Sequence, residues 1–280
     1  DQTGITPGTS LKRNYLNLNG NYKFSDKFGV EALMNYSQGV VKGDSDDGYS
    51  NQTSGSFNQW FGRDIEVAKL RELKNLETPL GYHASWNWFG PDAYASGGYY
   101  TKPAFWMNPY TWQDRFVNTT ERNTLTFSVA PTYKITDDLS ARVMFSRASI
   151  LRNTEYKVPF SISKSFGTSH GYKNYVNSFG VGNTQRDEDQ YDGRLSYSKK
   201  FGDFDVTALG GANVTNINWN GSSTSMLTES KTAFLIVPDV YDFKNASIAP
   251  VADPYNYRKT YKSLYGNASV GYKGTYYIDA

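Results

Sequence analysis

The stretch NYLNLNGNYKFSDKFGVEALMNY, residues 14–36, decides the fold of this chain. Its first half places apolar or aromatic side chains on alternate positions, with Asn and Lys between them. Its second half returns to nearly the same alternation after the polar segment Ser25–Lys27. A period of two on both sides of a short turn predicts a β-hairpin. Tyr22, Phe24 and Phe28 crowd the turn on the apolar face, as aromatic residues do where a transmembrane hairpin leaves the lipid.

Three further segments of the chain repeat this unit. They span about 125–145, 191–214 and 264–278, with turns predicted at 136–138, 199–203 and 273–274. Each places an aromatic side chain beside its turn on the apolar face: Tyr133 in the second hairpin, Tyr197 and Phe204 in the third, Tyr272 and Tyr276 in the fourth. Pro131 cannot donate a ladder hydrogen bond, which predicts a bulge or weak pairing there. Long polar connections, at about 37–122, 147–190 and 216–262, separate the four hairpins.

Short turns on one side and long loops on the other are typical of outer-membrane barrels. We therefore predict an all-β fold: part of an antiparallel transmembrane β-barrel of about eight strands in four hairpins, with short periplasmic turns and long extracellular loops. The alternative is a soluble antiparallel sheet with one wet face. The two differ in what covers the apolar face, lipid or a second sheet. The side chains that test this are Leu16, Leu18, Ala141, Val143, Val206 and Ala208.

Eight strands can close a small barrel. The predicted loops are very large for so small a ring, however, and the fourth hairpin reaches Ala280 inside a strand. We therefore expect residues 1–280 to be an internal part of one larger barrel domain, with the remaining strands outside this chain.

Composition excludes several classes of function. The chain has 280 residues, with 29 basic and 27 acidic, so net charge does not suggest a nucleic-acid partner. It has no Cys and only two His, so neither a thiol centre nor a His-rich metal site is expected, and no cofactor is predicted. The mean hydropathy of −0.62 is compatible with a barrel, where only alternate strand residues face lipid.

The first long connection, 37–122, carries the candidate binding residues. Within it, the spacing of apolar residues predicts a short amphipathic helix over 63–76. The remainder is dense in Trp and Tyr, whose flat faces stack on sugar rings or peptide side chains and whose polar tips donate hydrogen bonds. The same aromatics also suit a core of the loop itself or an interface with a protein partner. The substrate- or partner-binding candidates are Trp86, Trp88, Asp92, Tyr94, Tyr99, Tyr100 and Trp106.

The other polar residues singled out in the sequence are not predicted to form metal or catalytic sites. Asp44, Asp46 and Asp47 begin like a calcium loop but lack the later carboxylate, and 187–189 is similarly incomplete, so both are interpreted as solvated acidic turns without a metal. Neither His83 nor His170 lies in a catalytic motif, so no enzyme is predicted. The charged residues expected to face the barrel interior are Glu31, Arg142, Arg194 and Asp205.

Three segments resemble the SusC/RagA-type TonB-linked outer-membrane transporters of Bacteroidetes. They are SFNQWFGRDIEVAKLREL at 56–73, MNPYTW at 107–112 and LYGNASVGYKGTYYIDA at 264–280. In that family a similar aromatic-plus-helix element follows an early barrel hairpin. Here Thr111 separates the Tyr of the Asn-Pro-Tyr element from the Trp.

The resemblance implies a large barrel with an N-terminal plug and a TonB-contacting segment, neither of which is recognisable in this chain. It also implies a lipoprotein partner of SusD type and import of oligosaccharides or peptides across the outer membrane, without naming the substrate. The alternative from another class is a soluble β-sheet module for carbohydrate binding or adhesion.

Overall fold

The computed structural model describes residues 1–4, 8–43, 64–77, 79, 83–86, 107–163, 176–226 and 233–280. Within these ranges, nine strands form one antiparallel sheet, and each strand pairs with its neighbours in the chain. The strands are β1 (Gln2–Thr3), β2 (Ser10–Lys23), β3 (Phe28–Lys42), β4 (Val117–Lys134), β5 (Leu139–Val158), β6 (Ser178–Phe201), β7 (Phe204–Ser225), β8 (Ala252–Tyr272) and β9 (Tyr276–Asp279). β1 and β9 are not paired with each other, so the described sheet is open.

The four predicted hairpins are confirmed as β2–β3, β4–β5, β6–β7 and β8–β9. Hydroxyl side chains close two of the turns. Ser25 Oγ accepts a hydrogen bond from the Phe28 amide at 3.1 Å, and Thr136 Oγ1 accepts one from the Leu139 amide at 3.0 Å. Gly202 supplies the positive φ of 58° that the third turn needs. The two-residue strand β1 is the one addition to the predicted set.

The strands are longer than the apolar alternation predicts. β5 has 20 residues, β6 has 24 and β7 has 22, so the connections between hairpins shrink to 43–116, 159–177 and 226–251. Most of the added strand residues are polar, and apolar ones such as Ile150 and Leu151 do not alternate with polar ones, so the period-two signal is lost there. The acidic run 187–189, expected to form a turn, lies inside β6 and pairs with 147–149 of β5. That expectation was wrong because backbone pairing continues where side-chain alternation stops.

One face of the sheet carries a continuous set of apolar side chains, called here the apolar belt. Directly paired residues share a face, so Leu18, Met34 and Phe127 lie side by side on three strands. The belt comprises Leu16, Leu18, Met34, Phe127, Val129, Ala141, Val143, Phe145, Leu195, Val206, Ala208, Leu264 and Val270.

No second sheet covers the belt in the part of the chain that the structure describes. Leu18 is 54% exposed, Val143 59% and Leu264 87%. The covering sheet that the soluble module requires is therefore missing from these ranges.

Rows of directly paired residues run across the strands from the apolar belt to polar side chains nearer the long loops. The row that starts at Leu18 runs through Met34, Phe127, Arg147, Asp189, Asn216 and Thr260. Its first three members are apolar and its last four are polar. The belt is therefore oblique to the ladder of hydrogen bonds, as in a sheet whose strands tilt within a barrel.

Pro131 interrupts the ladder without shifting the register. Pairing between β4 and β5 stops after Val129↔Phe145 and resumes at Thr132↔Arg142, which leaves two residues unpaired on each strand. The interruption is therefore weak pairing, one of the two outcomes expected, and not a bulge.

Buried apolar clusters lie at the long-loop end of the sheet. The first contains Met107, Trp112, Val158 and Ile162, with Phe116 and Tyr156 packed against it. The second contains Phe179, Met226, Ala233 and Leu235, with Tyr241, Phe243 and Ala246 against it. These clusters order the connections instead of filling the space beneath the sheet.

Three short helices accompany these clusters: α1 (Val67–Glu72), α2 (Pro109–Arg115) and α3 (Phe160–Ser163). Asn108 caps α2 by accepting from the Tyr110 amide at 3.0 Å, and its Nδ2 donates to the Leu70 carbonyl of α1 at 2.6 Å. Thr111 donates to the Lys74 carbonyl at 2.6 Å. Within the described residues of the predicted range 63–76, the helix is α1, which ends at Glu72, where Asn108 Nδ2 binds the Leu70 carbonyl. Among the described residues, no helix has the length and apolar character needed to cross a membrane.

Candidate functional site: the interior face of the sheet

The face opposite the apolar belt, called here the interior face, gathers most of the charged residues of the strands. Its residues are those that alternate with the belt: odd-numbered on β2, β3, β7 and β8, and even-numbered on β4, β5 and β6. Two clusters stand out on it, one near the short turns and one near the long loops.

The cluster near the short turns is internally neutralised. Arg142 binds Glu31 across two strands at 3.1 Å. Arg142 also lies directly opposite Arg194 in the β5–β6 register. Tyr265 donates a hydrogen bond to Asp192 Oδ2 at 2.6 Å. Of the charges predicted on this face, Glu31 and Arg142 therefore form an ion pair, and Arg194 lies beside Arg142 on the next strand.

Asp205, the remaining charge predicted on this face, has simpler surroundings. Asp205 lies at the short-turn end of the same face, with Lys200 Nζ at 3.8 Å from its carboxylate. At that length between exposed side chains, the pair contributes little to stability.

The cluster near the long loops is strongly cationic. Arg13, Arg122, Arg152 and Arg186 line one cavity of about 980 Å³, together with the aromatic residues Tyr15, Trp219 and Tyr255. We call the four arginines the arginine wall. No acidic side chain is among the described residues that line this cavity.

The sheet register brings the arginine wall together. Arg122 lies directly opposite Arg152, and Gly39 separates Arg122 from Arg13. Because Gly39 has no side chain, the Arg13 Nε lies 3.7 Å from the position that a Cβ would take there. The Arg13 guanidinium therefore lies beside Gly39, on the strand between Arg13 and Arg122.

A second glycine admits an aromatic ring beside the arginines. A Cβ at Gly221 would lie 2.7 Å from the Tyr255 hydroxyl, so only glycine leaves room for this ring position. Trp219 meets Tyr255 edge to face, with 6.0 Å between ring centroids. The cavity thus offers flat apolar surface next to guanidinium groups.

Sequence reasoning missed the arginine wall. Arg122, Arg152 and Arg186 lie in or beside regions that were assigned to connections, and they are about thirty residues apart. The available signal was the pairing itself, because extending each hairpin outward from its turn at constant register places Arg122 opposite Arg152.

Of the candidate binding residues, only Trp86 lies within the described ranges, where it is partly buried. Trp88, Asp92, Tyr94, Tyr99, Tyr100 and Trp106 lie outside the described residues, as do Asp44, Asp46, Asp47 and His170. Their proposed roles stay predictions.

His83 has a structural position. It is 1% exposed, and its Nε2 lies 2.9 Å from the Ser161 carbonyl oxygen, which joins the first long connection to α3. Burial lowers the pKa of His83, and the nearby Arg115 guanidinium adds to this effect. The neutral imidazole is therefore favoured, and the 3.3 Å approach of Nδ1 to Glu77 is not counted as an ion pair.

The acidic residues of β6 are occupied by their neighbours. Asp189 accepts two hydrogen bonds from Arg147, at 2.6 and 2.7 Å. Ser149 donates to Asp187 at 2.5 Å, and Arg186 donates to Glu188 at 2.6 Å. Across the described ranges, no group of three or more His, Cys, Asp or Glu side chains is arranged to hold a metal ion.

Solved structures of similar fold include those of the RagAB peptide transporter. One of them matches with 13% sequence identity and a TM-score of 0.61, over 97% of this chain and 27% of the matched chain. The RagAB peptide importer in its open-open state matches with 14% identity and a TM-score of 0.65, over the same shares of the two chains. Its closed-closed state matches with 13% identity and a TM-score of 0.60. No protein-family model and no curated protein sequence matches the chain.

This likeness establishes the fold. The chain has the antiparallel strand architecture of the barrel of TonB-dependent transporters, and it spans about 27% of the RagAB chain that it matches. The resemblance drawn from residues 56–73, 107–112 and 264–280 is thereby confirmed at the level of the fold.

Proposed function

We propose that this chain forms part of the barrel wall of a TonB-dependent outer-membrane transporter of SusC/RagA type, which imports oligosaccharides or peptides. The observation that carries the proposal is the uncovered apolar belt beside a polar interior face. A belt with Leu18 and Val143 more than half exposed to water would promote aggregation. Against lipid, the same belt is the expected surface of a barrel, with polar residues turned towards the lumen.

Aromatic residues at the short-turn edge support this orientation. Tyr22 packs edge to face on Phe24 with 4.7 Å between ring centroids, and Phe24 stacks on Phe28 at 5.4 Å. Phe204 and Tyr272 lie 4.9 Å apart beside the third and fourth turns. Such rings match the aromatic girdle at a membrane interface. In the proposal, the short turns are periplasmic and the long connections, including 37–122, are extracellular.

Strand length fits a wall that continues past the bilayer. About 9–11 residues suffice for a tilted strand to span the hydrocarbon region. β6 has 24 residues, of which the half nearest its turn carries the belt. The polar half would then stand above the membrane, where both faces meet water.

The open sheet supports a larger barrel. The outer edges of the described sheet present unpaired backbone groups, and closed barrels remove such edges. We propose that strands from elsewhere in the native polypeptide complete the ring. A plug and the segment that contacts TonB belong to the same proposal and lie outside these 280 residues.

The partner and the substrate follow from the resemblance and the loop composition. A SusD-type surface lipoprotein would cover the long-loop side, where the Trp- and Tyr-rich segment of 37–122 supplies contacts for it or for substrate. The similar solved structures are of a peptide transporter, which supports peptides as one substrate class. The proposed role is transport without a catalytic step.

The test uses the native polypeptide that carries these residues, expressed in its own outer membrane. We expect it to require detergent for extraction, to change gel mobility on boiling, and to support uptake that stops when TonB is deleted. A species that is soluble without detergent and indifferent to boiling would overturn the membrane assignment. Uptake that persists without TonB would overturn the energy coupling alone.

A further inference from the structure

The interior face separates its charges into two zones with different balances. Near the short turns, Arg142 has Glu31 as its partner, and Asp192 accepts from Tyr265. Near the long loops, the only described acidic partner of the arginine wall is Glu188, which binds Arg186 at 2.6 Å. The second zone therefore keeps an excess of positive charge.

Two members of the arginine wall have no ion pair within the described ranges. Arg122 and Arg152 are both exposed and directly opposite each other on neighbouring strands. Like charges in this arrangement destabilise a sheet. Arg142 and Arg194 form a second directly opposite pair of arginines, but there Arg142 binds the carboxylate of Glu31 at 3.1 Å. The pair Arg122 and Arg152 has no such ion pair within the described ranges.

The remaining two arginines are partly engaged and point to the same cavity. Arg13 donates to the Tyr15 hydroxyl at 2.9 Å, which orients the guanidinium beside Gly39. Arg186 lies diagonally from Arg152 on the next strand, within the reach of long side chains. A single anionic group can thus contact more than one guanidinium.

Aromatic residues share the cavity with these arginines. Tyr15, Trp219 and Tyr255 contribute ring surface, and the cavity holds about 980 Å³. That volume falls in the range of pockets that bury a small ligand. Guanidinium groups bind carboxylates through paired, charge-assisted hydrogen bonds, and aromatic faces pack on sugar rings or side chains.

We propose that the arginine wall binds carboxylate groups of the transported substrate and makes the transporter selective for acidic oligomers. This inference rests on the proposed function. The carboxylates can belong to Asp and Glu side chains of a peptide or to uronate units of an oligosaccharide. Both present the same chemistry to Arg122 and Arg152.

The test compares acidic probes with uncharged isosteres in cells that express the native polypeptide. One probe pair is an Asp/Glu-rich peptide and the same peptide with Asn and Gln. The other pair is oligogalacturonate and its methyl ester. We expect wild-type uptake to favour the acidic member of at least one pair by about 10–100-fold, the factor given by one or two charge-assisted hydrogen bonds. The pair that shows the preference identifies the source of the carboxylate.

The variant that removes the unpaired charges is R122Q/R152Q. We expect it to lose the preference for the acidic probe and to transport the neutral probe as before. The matched control is K12Q/K262Q, which removes two positive charges from the opposite face of the sheet and should keep the preference. The wild-type preference should also fall as salt rises from 0.05 to 0.5 M, since exposed charges are screened.

Three outcomes would overturn the inference. Equal wild-type uptake of acidic and neutral probes in both pairs would refute it while leaving the proposed transporter intact. A preference that survives in R122Q/R152Q would place the selectivity elsewhere. If R122Q/R152Q reduced acidic and neutral uptake equally, with normal amounts in the outer membrane, the wall would instead hold an acidic segment of protein. Failure of the polypeptide to insert in the outer membrane would refute the proposed function itself.

Discussion

The two halves of each long strand form the same ladder with very different side chains. In β6, the half near the turn alternates apolar residues such as Tyr191 and Leu195 with polar ones, whereas residues 182–190, towards the long loops, have no apolar side chain on either face. Pairing with β5 nevertheless continues without a break from Tyr197 to Ser178. Backbone hydrogen bonds thus maintain the strand in both halves. The side-chain pattern depends on the environment of each face and does not determine where the strand ends.

The two halves also differ in how they bury apolar surface. Near the long loops, the protein covers its own apolar side chains: Trp112 is 2% exposed, and Val158 and Ile162 are fully buried. Near the short turns, Ala130 is buried, but many side chains of the apolar belt are exposed. The long-loop half is thus stabilised by a core within the protein. The apolar belt of the short-turn half has no such cover within the described residues. The predictions below test this difference.

The largest effect is expected at the core of the long-loop half. Trp112→Ala removes an indole that stacks on Phe116 with 4.4 Å between centroids, and a buried Trp→Ala costs about 3–5 kcal/mol. We expect proteolysis of intact cells to cut the long connections faster in this variant. The boiling-dependent gel shift should stay, because the belt is untouched. Phe234→Ala, at a side chain 50% exposed in the same half, should change neither readout.

A charged side chain introduced into the apolar belt tests whether the belt contacts lipid. Leu18→Lys should lower the free energy of unfolding in lipid vesicles by about 2–4 kcal/mol if position 18 lies near the bilayer midplane. Asn19→Lys, on the interior face of the same strand, should cost much less. Asn14→Lys has the same facing as Leu18 but lies in the polar half, and it too should be nearly neutral. Equal costs at positions 14 and 18 would contradict the difference between the halves.

Acid should loosen the long-loop half first. The pKa of His83 is lowered below its usual value of 6.5 in the folded state. The unfolded state therefore binds the proton more readily, and stability present above pH 6.5 is lost as pH falls through the folded-state pKa. Protonation opposes folding by about 1.4 kcal/mol per unit of pKa lowering. Amide hydrogen exchange between pH 7.5 and 5 should report the change near Ser161, and His83→Gln should reduce this pH dependence.

The smallest effect concerns packing on the interior face of the short-turn half. A Cβ at Gly211 would lie 2.5 Å from the Tyr265 ring, so Gly211→Ala should displace the ring and weaken its hydrogen bond to Asp192. The expected cost is about 0.5–1.5 kcal/mol. Gly210→Ala is the matched control, since no atom lies within 4 Å of its Cβ position. Denaturant unfolding in detergent compares the two, and identical midpoints would refute this packing argument.

The sequence predicted the short-turn half well for a physical reason. Alternation around Ser25 and Thr136 indicates one apolar and one polar face, so the four hairpins and their turns could be found by period alone. The long-loop half has no such face. Its strands, its acidic pairs such as Arg147–Asp189 and its arginine wall depend on register, which brings together residues distant in sequence. The sequence analysis therefore chose candidate binding residues from the density of Trp and Tyr. The residues of the cationic cavity are brought together by strand pairing instead.

The oblique rows give the sheet a direction of mechanical coupling. The row from Leu18 passes through Phe127 and the Arg147–Asp189 pair to Thr260, so the backbone hydrogen bonds along one row join the apolar belt of β2 to the polar part of β8. A force that pulls along β2 would be transmitted through these hydrogen bonds to neighbouring strands, at positions progressively closer to the long loops. The sheet therefore resists separation of any one strand, because the load is distributed over several neighbouring strands.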